Sequence, residues 1–297
     1  MRLARRIGSR YRTIVAAVIV ASLVLFVPPA VPAHAQLQLL FGINEQQEIQ
    51  LGRQIEAQVE KQYGFDDNPD WNARVTNIGL RVAEVSERQY LPWTYHIVRD
   101  RSVNAFAVLG GFIFVTRGLM REVPSDDELA FVLGHETTHV AHRHAVDLAQ
   151  RDMEMQGAAI LLTQLVFGGS AVAYQLTQLT RGLMDAKYSR DKEYEADHYG
   201  VIFAQRAGFD PIVAIAFFER LQDLEKQQNA VGTAFASHPP TSDRIKAVRT
   251  ELRQMGYEVA GPPEPPVASP PPAPPAAEPT SPADPTTPVP GQWHPHR

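Results

Sequence analysis

Gly134-His135-Glu136-Thr137-Thr138-His139 is the stretch on which the reading of this chain turns. Residues four apart on a helix lie one above the other on a single face, so His135 and His139 present two imidazole nitrogens to one point in space. Glu136, one step round, faces the same pocket with a carboxylate that need not bind what the histidines bind. Two histidines and an adjacent acid at this spacing are the pattern that holds a zinc ion with a general base beside it. Zinc takes neutral nitrogen or anionic ligands in a tetrahedron, and a catalytic zinc keeps one position for water. Two histidines therefore leave a third protein ligand to be found elsewhere in the chain.

The helix that carries this stretch is expected independently of it. Ser125-Asp126-Asp127-Glu128 reads as a capping box. Its acids suit the positive end of the helix dipole, and Leu129, Val132, Leu133 and Val140 supply a buried side. The pattern predicts one helix over 125–150. Upstream, helices are expected over 44–63, with Asn44 as N-cap, and over 71–88, where Val75, Ile78, Val82 and Val85 recur at helical spacing. Pro92 breaks that pattern. Strands are expected over 93–98, 103–109 and 112–116, the last two separated by Gly110-Gly111 as a tight hairpin turn.

Downstream, 157–183 is apolar with scattered Thr and Gln and is interrupted at Gly168-Gly169. It reads as a helical hairpin over the site, with contact to a membrane surface as the alternative; neither half is long enough to span a bilayer. Helices follow over 190–207, closed by Gly208, and from Asp210-Pro211 to about residue 228. A loop runs through His238-Pro239-Pro240, and a last helix over 241–255 ends at Gly256. The sum is an α+β fold, mainly helical, with a small sheet beside the metal helix.

Asp185, Asp191, Glu193, Glu195, Asp197 and His198 crowd the start of the 190–207 helix. Glu193 and Asp197 are four apart and share a face. A carboxylate at Glu193 can complete a zinc site, and Asp197, one turn on, can accept a hydrogen bond from the free ring nitrogen of His135 or His139, as metal-bound histidines require. His142 lies one turn beyond His139, too far along the helix to join the same tetrahedron. It reads as structural, as do His144, His198 and His96.

The pairing of His135-Glu136-x-x-His139 with Glu193-x-x-x-Asp197 resembles the HtpX/Ste-type zinc metalloendopeptidases, gluzincins that include the CAAX prenyl proteases and, with the nearest likeness, the BepA-like periplasmic proteases. The likeness extends over about 100–250. Asn104-Ala105-Phe106-Ala107 and Gly110-Gly111-Phe112-Ile113-Phe114-Val115-Thr116 are similar to the family's segment before the metal helix. Asp127-Glu128-Leu129-Ala130 and Ala141-His142-Arg143-His144 flank the motif as they do there, and Ser237-His238-Pro239-Pro240 with Arg244-Ile245 resembles its late segment.

The resemblance implies a zincin-like domain with one Zn2+ per chain, held by His135, His139 and Glu193. It favours Glu193 over Glu195, which is left as a solvated acid. It also makes Glu136 the catalytic base, gives Asp197 an outer supporting role, and brings the late segment near the site. His238 and Arg244 are then candidates for stabilising the oxyanion, or His238 for gating the zinc. Asn104, Ala105, Phe106, Gly110 and Gly111 belong to a segment expected to offer an edge strand to unfolded or extended protein substrates. The implied activity is hydrolysis of peptide bonds in misfolded or misassembled envelope proteins. A zinc-stabilised chaperone or scaffold with little proteolysis is the alternative; a membrane-embedded prenyl-processing protease would need several long apolar spans that the sequence lacks.

The two ends read differently from the middle. Residues 1–35 have five arginines, an apolar run from Thr13 to Val27 and Ala33-His34-Ala35, as a secretory signal cleaved before Gln36 would. The alternative is an uncleaved anchor. Loss of this segment moves the formal charge from −5 to −10, and an acidic chain without a basic cluster is a poor nucleic-acid binder. Residues 261–297 hold 15 of the 24 prolines, a composition that forms extended polyproline II rather than a core and suits a disordered spacer or a ligand for a partner. There is no cysteine, hence no disulfide. The catalytic domain is expected over 36–260, and the protein is expected to be exported, periplasmic and peripheral to a membrane.

Overall fold

The computed structural model describes residues 43–151, 169–184, 187–227, 238 and 241–259. The expected signal, the proline-rich tail, the first half of the 157–183 stretch and Pro239-Pro240 lie outside the described residues.

α1 (Glu45–Tyr63) opens on a reciprocal cap: Asn44 Oδ1 accepts from the Gln47 N–H and Gln47 Oε1 from the Asn44 N–H, both at 2.9 Å. α2 (Pro69–Ala83) starts before the apolar periodicity does, because Asn68 caps it and Pro69 brings the φ that a first turn needs. It stops at Ala83 rather than Arg88. Ser86 Oγ donates to the Ala83 carbonyl at 2.7 Å, and Arg88 turns inward to the buried Glu48 on α1, at 2.9 and 3.1 Å.

Among the described residues, β1 (Thr94–Val98), β2 (Ala105–Ala107) and β3 (Phe112–Thr116) form one mixed sheet in the order β1-β3-β2. β1 runs parallel to the central β3, and β2 runs antiparallel to it with Phe106 opposite Phe114. The hairpin is wider than a two-residue turn. Leu109–Gly111 make a 3-10 turn with Gly110 at φ 76°, and a Cβ at Gly110 would lie 2.7 Å from Ile49 Cα of α1. The glycine pair thus serves close packing on α1.

After α3 (Arg117–Glu122), α4 (Asp126–Ala141) carries the histidines. Every residue from Glu128 to Ala141 is buried, so α4 is the central helix of the fold. Ser125 Oγ accepts from the Glu128 N–H at 3.2 Å, but the Glu128 carboxylate does not reach back to complete a capping box; it pairs with Arg220 of α7 (Val213–Gln227). α4 also ends earlier than predicted. Arg143 sits at φ 58°, a left-handed conformation that costs on the order of 1–2 kcal/mol outside glycine. Three contacts hold it there: Arg143 Nη1 to Glu48 at 2.7 Å, Arg143 Nη2 to the Ile43 carbonyl at 2.6 Å, and Arg88 Nη1 to the Val140 carbonyl at 3.2 Å. Residues 144–151 then resume a helix after the turn at 142–143.

α5 (Gly169–Met184) packs on α1 and β2, and α6 (Arg190–Arg206) crosses α4 more extensively than any other element does. The crossing is tight: a Cβ at Gly134 would meet the Gly200 carbonyl oxygen at 2.8 Å, and one at Gly200 the His135 nitrogen at 3.0 Å. α7 covers another side of α4, where Phe131 meets Phe217 and Phe218 edge-on. α8 (Ser242–Gln254), capped by Thr241, packs on α6 and α7. No helix among the described residues is long and apolar enough to cross a membrane.

Candidate metal centre

The Gly134–Gly200 contact decides where the site forms, because it brings the middle of α4 against the first turns of α6. His135 and His139 then point at Glu193. The two Nε2 atoms are 3.2 Å apart, and Glu193 oxygens lie 3.7 Å from His135 Nε2 and 3.8 Å from His139 Nε2. A tetrahedral ion with bonds of about 2.0–2.1 Å separates its ligand atoms by roughly 3.3–3.4 Å, so two imidazole nitrogens and a carboxylate at these spacings fit such an ion. His238 stands with them: its Nδ1 is 3.3 Å from His135 Nε2 and 2.7 Å from Glu193 Oε1. All four side chains are buried.

The protonation states suit ligands. Burial, reinforced by the neighbouring positive groups, holds His139 well below the usual histidine range and therefore neutral. Burial would raise the Glu193 carboxyl, but the charges of His238, Arg244 and His135 overcome it and hold it down at about 2. His238 is the opposite case. Burial lowers it, while Glu193 and Glu136 raise it further than burial takes away.

Glu136 is wholly buried, yet neither carboxylate oxygen has a hydrogen-bond partner among the described residues. Leaving a carboxylate unpartnered out of water costs several kcal/mol. It is tolerable where the group faces reactants, and His238 Nε2 lies 3.8 Å away.

The support is built from α6 and α8. Asp197 Oδ1 is 3.0 Å from His135 Nδ1. Arg244 grips Asp197 and also reaches Glu193 Oε2 at 2.8 Å and the His238 carbonyl at 2.9 Å. Arg244 is thus tied to the ligand cage, a positioning arrangement. Of the segment expected to meet substrate, Ala105 and Phe106 lie on β2 with Asn104 just before it, at the sheet edge and near α4; Gly110 and Gly111 lie in the turn against α1, off that strand.

Three features were not anticipated. Glu195 is not a solvated acid: it is buried between His142 Nδ1 at 2.6 Å, at the C-cap of α4, and His144 Nε2 at 3.2 Å, just past the left-handed Arg143. Burial would raise its carboxyl, and those two hydrogen bonds hold it down at about 2. Tyr188 stacks on the His139 ring at 4.0 Å and lines, with Tyr194, Glu193 and Arg244, a cavity of about 180 Å³ beside the candidate ligands. The third is the Gly134–Gly200 crossing. Gly134 carried a signal, since a glycine inside a helix is a cost that invites a packing reason; for Tyr188 the sequence offered none.

Comparison with known proteins agrees with this geometry. Over 199 residues the chain is 31% identical to a protein of Vibrio cholerae named putative beta-barrel assembly-enhancing protease, covering 63% of this chain and 40% of that one. It is 29% identical to the mitochondrial metalloendopeptidase OMA1 of Schizosaccharomyces pombe, over 69% of this chain and 61% of the relative. It is 32% identical to the metalloprotease YcaL of Escherichia coli, over 61% of this chain and 72% of the relative. The chain thus spans from about two fifths to under two thirds of the length of the first two. The profile of peptidase family M48 matches residues 69–252, which include every residue of the candidate metal cluster, and the chain belongs to that family.

Proposed function

We propose that the chain is a zinc-dependent endopeptidase of the cell envelope that hydrolyses peptide bonds in misfolded or misassembled envelope proteins. The observation that carries the reading is Glu136, a buried carboxylate with no hydrogen-bond partner among the described residues, beside three groups at the spacing of a tetrahedral ion. A scaffold that merely held zinc for stability would have no use for such a group.

His135, His139 and Glu193 would hold one zinc ion. When bound, the ion supplies a Lewis acid for the scissile carbonyl and makes water easier to deprotonate. Glu136 takes a proton from the attacking water and passes it to the leaving amine as the C–N bond breaks. Asp197, set by Arg244, orients His135. An extended chain can lie along the β2 edge at 104–106 through backbone hydrogen bonds, a mode that selects unfolded segments more than sequence.

His238 acts as the gate. Its Nδ1 sits among the candidate ligand atoms, and this side chain must withdraw before a substrate can approach Glu136. Arg244 is already engaged with Asp197 and Glu193, which argues against its serving as the oxyanion donor. Replacing His238 by Ala should raise the cleavage rate while zinc content stays at one per chain; an unchanged or lower rate with unchanged zinc would remove the gate from the account.

The cellular setting rests on residues 1–35 as an export signal and on the names of the beta-barrel assembly-enhancing relatives. Contact of 157–183 with a membrane surface, and of the proline-rich tail with a partner, belong to the same reading. The test is cleavage of unfolded casein by the purified chain, abolished by a zinc chelator and restored by stoichiometric zinc. Cleavage that survives full removal of the metal would end it.

A further inference from the structure

His135 and His139 have different partners behind them. The far nitrogen of His135 faces a carboxylate, Asp197. The far nitrogen of His139 faces another imidazole, His144 Nδ1, at 2.9 Å. Two ring nitrogens at that distance share one hydrogen, and which ring owns it decides whether His139 can bind a metal. Nε2 of His139 can offer its lone pair only if the hydrogen of the neutral ring is on Nδ1.

The ownership is set from behind. His144 Nε2 lies 3.2 Å from Glu195 Oε2, and a carboxylate only accepts, so that nitrogen must carry a hydrogen. A neutral His144 then has a bare Nδ1, which takes the hydrogen bond from His139 Nδ1–H. The other Glu195 oxygen is held by His142 Nδ1 at 2.6 Å, and the far nitrogen of His142 points towards Glu87, 3.7 Å away. His142, His144 and Glu195 are all buried, which shields the arrangement from water. It exists because α4 stops at Ala141 and Arg143 turns the chain; a helix continuing to residue 150 would carry His144 away from Glu195.

We propose that His144 is a positioning residue for the metal ligand His139, and that Glu195, steadied by His142, fixes the His144 tautomer that leaves His139 Nε2 free to bind. The inference rests on the zinc centre proposed above. The same three side chains lie close enough to hold an ion of their own, but the nitrogens facing Glu195 are already engaged as donors, and a metal there would strip both of their hydrogens.

The test uses the full chain loaded with zinc or cobalt(II), with His144→Leu, His144→Gln and Glu195→Gln beside the wild type. Glu195→Gln is close to isosteric and keeps the fold testable if the histidine variant misfolds. Its amide can donate to His144 and so reverse the tautomer. The expected results are a 10–100-fold loss of zinc affinity by chelator competition in His144→Leu and Glu195→Gln, partial rescue in His144→Gln, and a changed visible spectrum of the cobalt form. Ring-nitrogen NMR of the zinc-free wild type should place the His139 hydrogen on Nδ1. Affinities within twofold of wild type with an unchanged cobalt spectrum would overturn the proposal while leaving the zinc centre intact. A second metal equivalent, lost in Glu195→Gln, would replace the relay with a metal site. A wild type that binds no zinc would sink the centre and this inference together.

Discussion

Arg244 grips Asp197 with two hydrogen bonds, Nη2 to Oδ1 at 2.6 Å and Nε to Oδ2 at 2.7 Å, and the same Oδ1 lies 3.0 Å from His135 Nδ1. One guanidinium fork therefore connects α8, α6 and α4 at the candidate metal site. Burial works against the Arg244 charge, and Asp197 and Glu193 more than restore it. Removing it leaves two buried carboxylates uncompensated. Arg244→Ala should cost about 3–5 kcal/mol of stability, and Arg244→Lys, which keeps the charge but not the fork, should still lose a large part of it. Denaturant unfolding measures both; a Lys variant as stable as the wild type would show that the fork geometry is immaterial.

Asp197→Asn weakens the support of His135 and the Arg244 fork together, so its stability is measured beside its zinc affinity. The amide keeps the volume, but the acceptor that fixes His135 loses its charge. Zinc affinity should fall about 10–100-fold by chelator competition. An unchanged affinity would mean that Asp197 serves Arg244 alone.

Gly134→Ala tests the helix crossing. The added methyl meets the Gly200 carbonyl oxygen at 2.8 Å, inside normal contact, so α4 and α6 must separate. Overpacking of this kind costs about 1–3 kcal/mol, and the ligand atoms move apart with the helices. Both the melting temperature and the zinc affinity should drop. A variant that loses stability but binds zinc normally would uncouple the crossing from the site.

His142 gives the zinc-free chain a pH signature. Burial lowers its pKa, but the hydrogen bonds and charges of Glu195 and Glu87 raise it to about 9. A group raised in the folded state stabilises fully below its unfolded value of about 6.5 and loses that contribution as pH climbs through its folded value. The unfolding free energy should therefore fall between pH 7 and pH 10 by more in the wild type than in His142→Gln, a difference of up to about 3 kcal/mol. Parallel profiles for the two proteins would show that His142 is uncharged when folded.

Much of this was legible in the sequence because the main elements announce themselves locally. Asn44 and Ser125 stand at helix starts, the α2 valines keep their spacing, and Gly208 and Gly256 end helices at positive φ. His135, His139, Glu193 and Asp197 could be read because helical spacing puts each pair on one face. What could not be read depends on long-range contacts. Arg143 takes a left-handed turn only because Glu48, some hundred residues earlier, is there to hold it. Glu195 looks like a surface acid until that turn brings His142 and His144 to it. Glu128 looks like half of a capping box until Arg220 arrives from α7. In each case a tertiary charge partner outcompeted the local pattern.

The central claim is that Glu136 is the base of a zinc peptidase, and Glu136→Gln tests it most directly. The amide keeps the shape of the side chain and removes its ability to take a proton. The account predicts one zinc per chain, a melting temperature no lower than that of the wild type and casein cleavage reduced by at least about 10²–10⁴-fold, the range that a positioned base supplies. Cleavage at the wild-type rate by a zinc-loaded Glu136→Gln protein would contradict it.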